Sequence, residues 1–211
     1  MQSRTRTVTW IGSAFIIELA LAIGVLAALG AGVRGTDVAL QATARFSFLL
    51  FWLAYSGGAL ASLLQMTPKW PARSARDLGL AFASAHLVHL GLVAWLCRIG
   101  AAPPRATFLF FGTAAIFTYL LALLSIGRLR ARLHPALWWL ARTVGMNFIA
   151  LAFLVDFLRV PPQVTIKYLA GYVPFASLAV AGPLLRALAF LLNGRTHLRL
   201  RAAGSIGVAR N

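Results

Sequence analysis

Residues 73–97 read RSARDLGLAFASAHLVHLGLVAWLC. After Arg73 and Arg76 the stretch runs for about twenty residues with almost nothing polar except His86 and His89, which is the length and character of a membrane span carrying two imidazoles. Three residues apart on a helix, the two rings lie on one flank, about one turn apart in depth. They can face a common neighbour, but flat opposite ligation of one metal by both is sterically disfavoured.

The rest of the chain agrees with a span at this place. Of its 211 residues 60% are hydrophobic and only 11% charged, with a mean hydropathy of +0.81. A soluble fold of this size has to cover its surface with polar groups, so the composition predicts a polytopic all-α membrane protein. A net charge of +16 would point to nucleic acid on a soluble surface. Here nearly all of it falls between apolar runs, so it reads as membrane topology and no nucleic-acid partner is expected. The single cysteine, Cys97, excludes an intrachain disulfide and a cysteine-held cluster. The first apolar run is too long for a cleavable signal segment.

Six spans are expected, at about 9–32, 44–66, 77–97, 106–126, 136–158 and 166–192, in one domain over 1–194 with a basic tail over 195–211. The first contains Glu18, a carboxyl that must face other helices, stay protonated or pair with a cation. A polar connection with Arg34, Gly35 and Asp37 precedes the second, whose Gly57, Gly58, Ala59, Ala61 and Ser62 make a small-residue packing surface. Trp70 is placed to anchor at the interface, and Pro103 and Pro104 turn the chain into a phenylalanine-rich fourth span. The fifth contains Arg142, Asn147 and Asp156. Arg142 and Asp156 share a face near opposite ends of the helix, so each needs a partner elsewhere. Pro174 and Pro183 should bend the sixth, Arg186 can snorkel, and the tail is expected to lie loosely on the membrane surface or to be disordered.

Lysines and arginines divide unevenly between the two sides. The leader, the second-to-third connection, the fourth-to-fifth connection and the tail hold twelve, and the opposite side holds six. The positive-inside rule then puts both termini in the cytoplasm, in a plasma (inner) membrane.

The run Arg73, Arg76, Leu78, Gly79, Leu80, Phe82, Ala85, His86 resembles the third helix of ferric-reductase-like transmembrane domains, especially the haem-binding membrane subunit that partners a periplasmic methionine sulfoxide reductase. Six spans, a basic fourth-to-fifth loop and the tryptophans opening the fifth helix extend the likeness over most of the chain. The resemblance implies haem b, with His86 as an axial ligand and His89 as a second ligand or an orienting group. It also implies a quinol donor and an extracytoplasmic redox partner. In that family two histidines on the fifth helix complete the ligand pairs. Here Ala141 or Arg142 stands near the first such position and Leu154 to Asp156 near the second, and the fifth span has no histidine. His134 and His197 fall outside the spans.

Three readings remain open. One is a single haem on His86 or His89, with Asn147, Met146 or a water completing the site, for transmembrane electron transfer. Another is a cofactor-free scaffold or partner subunit with the same fold. The third is a small proton or solute transporter with Glu18, His86, His89, Arg142 and Asp156 along its path.

Overall fold

The computed structural model describes residues 2–65, 70–125, 134–159 and 166–208, with side chains over 5–65, 74–125, 134–159 and 171–192. The expectations placed on Met66, Lys69, Ile126 and the loop arginines Arg128, Arg130 and Arg132 lie outside the described residues. So do those on the side chains of Trp70, Arg73, Lys167 and His197.

The described residues form six helices and no strand: α1 (Gln2–Leu29), α2 (Val33–Leu63), α3 (Trp70–Arg98), α4 (Arg105–Ser125), α5 (Pro135–Leu158) and α6 (Ile166–Val208). Each includes a segment long and apolar enough to cross a membrane. The outer surface carries bare hydrocarbon, with Ile16, Ile116, Leu184 and Phe190 all exposed, as expected where the surrounding solvent is lipid tails.

Several boundaries differ from the sequence expectation: α1 begins at Gln2, in the stretch read as the leader, and α3 at Trp70, in the stretch read as a connection. The polar stretch around Arg34 and Asp37 is the first part of α2, because three residues suffice to turn the chain. Gly30 sits at φ +83° and Gly35 is pressed against it: a Cβ on Gly35 would lie 1.9 Å from the Gly30 carbonyl oxygen. Only glycine at both positions lets α1 and α2 reverse this sharply. At the other end the helix does not stop at 192. The backbone of α6 stays helical through Val208, so most of the segment expected to be a loosely held tail is helical.

The packing places α3 at the centre of one half. It lies against both α1 and α2, and more sparsely against α4, while α4 pairs with α5 and α6 bridges α5 and α2. Polar ties pin the ends of α3. At its start Asp77 takes an ion pair from Arg6 (2.8 Å) and a hydrogen bond from the Thr7 hydroxyl (2.8 Å), both on α1. Arg76 Nε donates to the Ser125 carbonyl at the end of α4 (3.1 Å), and near the far end the Trp95 indole donates to the Ala31 carbonyl (2.9 Å).

Between the halves the core is aromatic. Phe51 and Phe82 stand 5.3 Å apart, Phe51 and Phe153 5.4 Å, and Phe48 meets Phe153, Phe157 and Phe175 at 5.1, 4.9 and 6.2 Å. Rings from α2, α3, α5 and α6 thus fill the space their backbones leave. The α2–α6 contact is closer: the Trp52 indole donates to the Leu178 carbonyl (2.8 Å) beside Gly182, where a Cβ would come within 3.2 Å of that nitrogen. Pro183 follows directly and removes a backbone donor from this part of α6.

Candidate functional site

The imidazoles of α3 meet as their spacing predicts. His86 and His89 stack with centroids 5.1 Å apart and planes 11° from parallel, and the Phe82 ring lies one turn earlier, 5.5 Å from His86. Both histidines are partly buried, and the two rings differ in their hydrogen bonding. Thr43 Oγ1, on α2, donates its one proton to the Ala39 carbonyl (2.9 Å) and lies 3.0 Å from His89 Nδ1. With the hydroxyl proton on a backbone carbonyl, His89 donates from Nδ1 and keeps Nε2 for another partner; in the other tautomer Thr43 donates to Nδ1. His86 Nδ1 is buried with no hydrogen-bond partner.

An imidazole whose Nδ1–H is anchored and whose Nε2 is free is the usual preparation of a metal-ligating histidine. The resemblance puts that role on His86; the hydrogen bonding prepares His89. Neither Thr43 nor Ser47 stands out in the sequence, although two hydroxyls four residues apart in an apolar helix lie on one face.

Ser47 serves the other buried polar group at this place. Glu18, on α1, is wholly buried, and the Ser47 hydroxyl lies 3.0 and 2.8 Å from its two carboxyl oxygens. One hydroxyl proton cannot satisfy both oxygens, whereas a neutral carboxylic acid can return its own proton to Ser47. Of the sequence alternatives for Glu18, the carboxyl faces another helix and the paired contacts suit its neutral form.

The fifth-helix candidates go elsewhere. Asn147 Oδ1 accepts from the Tyr55 hydroxyl (2.7 Å), whose ring also lies under Arg186, 4.3 Å from the centroid. Asp156 interacts with Arg159 and with Arg45 of α2, and Arg45 lies over the Tyr172 ring at 4.9 Å. Arg142 and Met146 line a cavity of about 200 Å³ with Arg76 and Trp138. Glu18 and His89 thus meet the same face of α2, through Ser47 and Thr43, while Asn147 and Asp156 meet other partners. His134 caps α5, its Nδ1 accepting from the Ala136 N–H at 3.4 Å.

The fit to haem is one-sided. His89 has its Nδ1 beside Thr43, and the buried Nδ1 of His86 next to it has no hydrogen-bond partner. On α5 the ring that meets Phe82 is Phe153, at 6.0 Å. Among the described residues, no group of three or more His, Cys, Asp or Glu side chains is placed to hold a metal ion. Comparison with protein-family models, curated proteins and solved structures gives no match.

Proposed function

We propose that this chain is a ferric-reductase-like integral membrane protein that holds one b-type haem on the imidazoles of α3. It passes electrons between a membrane donor such as a quinol and an acceptor outside, with both termini in the cytoplasm of a plasma (inner) membrane. The observation that carries the reading is the His89 ring, its Nδ1 held 3.0 Å from Thr43 Oγ1 and its face stacked on His86. Haem iron, when bound, supplies one-electron redox chemistry.

The chain's own part is to hold and shield. Thr43 fixes the orientation of His89 and raises the basicity of Nε2. His86 stacks on the ligating ring and restricts its rotation. The Phe82 and Phe153 rings keep the neighbourhood apolar, which excludes water and sets the dielectric around the site. If haem is bound, the α3 imidazoles would hold its iron, and a water or an exogenous group could complete the site.

The test is haem content of purified variants. His89→Ala should lose the Soret band, whereas His86→Ala should keep it with a shifted maximum. Equal haem in the wild type and the double variant would remove both residues from any ligand role.

A second reading has its own support. Among the described residues no group of three or more His, Cys, Asp or Glu could hold a metal, and the ring facing Phe82 from α5 is Phe153, which favours a bundle that has given up its cofactor and acts as a scaffold or partner subunit. A folded, monodisperse protein that takes up no haem would establish it.

A further inference from the structure

The cavity at the junction of α2, α3, α4 and α5 has the chemistry of a binding site, and of its lining the haem reading uses only Phe82. Its volume is about 200 Å³. It exists because the side chains around it are small: Gly79 and Ala122 face it, and a Cβ on Gly79 would meet nothing within 4 Å. Deeper in, the lining is apolar, with Phe82 and Ile149. Toward the helix ends it is cationic and amphipathic, with Arg76, Arg142 and Trp138. Arg76 is placed by its Nε hydrogen bond to the Ser125 carbonyl, which leaves its terminal nitrogens for another acceptor. Arg142 lies seven residues into α5, about 10 Å along the axis, so the positive lining reaches below the membrane surface.

Two guanidinium groups above an apolar floor suit an anionic oxygen group carried on a hydrocarbon. Phosphate matches guanidinium by paired hydrogen bonds, and the indole suits the boundary between head group and chain. No Asp or Glu lines the cavity, so nothing there would recognise the amine of a zwitterionic head group. The chain also has 20 Lys and Arg against four Asp and Glu, a surplus that favours anionic over zwitterionic lipid around it. Leu120 and Leu123 of α4 and Leu137 and Leu140 of α5 are exposed and provide apolar surface for acyl chains.

We propose that the cavity between Arg76 and Arg142 is a binding site for an acidic phospholipid, its phosphate held by the two guanidinium groups and its glycerol end seated on the floor formed around Gly79. Native mass spectrometry of the full chain in mild detergent tests this with phosphatidylglycerol and phosphatidylcholine of matched chains as probes. The wild type should take up phosphatidylglycerol at about tenfold lower concentration than phosphatidylcholine, the size of one charge-assisted contact. The double variant Arg76→Gln/Arg142→Gln and the cavity-filling Gly79→Leu should each bring the two lipids level. Millimolar inorganic phosphate should leave the phosphatidylglycerol adduct in place.

Equal uptake of the two lipids by the wild type would overturn the proposal, as would a preference that survives both variants. Displacement by inorganic phosphate would make this a site for a free anion and overturn the lipid assignment. The wild-type and phosphate arms decide the matter even where a variant does not fold, and Gly79→Leu enters open space on a helix that favours leucine over glycine.

Discussion

Thr43 and Ser47 show how a single hydroxyl decides what a buried ionisable group does in lipid. Thr43 orients His89, so Thr43→Val should lower haem affinity about tenfold or more while Thr43→Ser restores it, read by haem titration of the purified protein. An unchanged affinity in Thr43→Val would separate the hydroxyl from the site. Ser47 satisfies Glu18, and the neutral amide of Glu18→Gln can make the same contact. That variant should unfold within about 1 kcal/mol of the wild type, whereas Glu18→Lys, which buries an uncompensated cation, should not accumulate in the membrane. His86 and His89 were legible in the sequence because imidazoles are rare in an apolar run. Their different hydrogen bonding was not, since the partner that distinguishes them lies 46 residues away on another helix. Asp77 shows the same limit: beside Arg76 it reads as surface charge, and only the packing of α1 on α3 brings Arg6 and Thr7 to it.

The helices themselves were easier to read than their ends. Six apolar runs of bilayer length survive as six helices because in lipid the backbone must satisfy its own hydrogen bonds. The ends misled where polarity was taken as a loop signal. Arg34 and Asp37 are helical, and the turn before them rests on the contact between Gly30 and Gly35. Gly35→Ala should therefore cost more than about 3 kcal/mol, far beyond the effect of a surface glycine, measured by thermal or denaturant unfolding in detergent. Gly145 makes a comparable demand between α4 and α5, where a Cβ would come within 2.9 Å of the Leu121 side chain. Leucine can rotate away, so Gly145→Ala should be the milder change of the two.

For the molecule as a whole, the aromatic layer and the charge distribution carry the consequences. Rings from α2, α3, α5 and α6 join the halves of the bundle. The surplus of Lys and Arg on one side predicts orientation: a reporter fused after Asn211 should be active in the cytoplasm, and activity on the opposite side would reverse the topology. The central claim is that the imidazole pair of α3 holds one haem. Its most direct test is a reduced-minus-oxidised absorption spectrum, with pyridine haemochrome quantitation, of the detergent-purified protein made under ample haem supply. The account predicts a b-type spectrum near one haem per chain; a folded, monodisperse protein with no haem would contradict it.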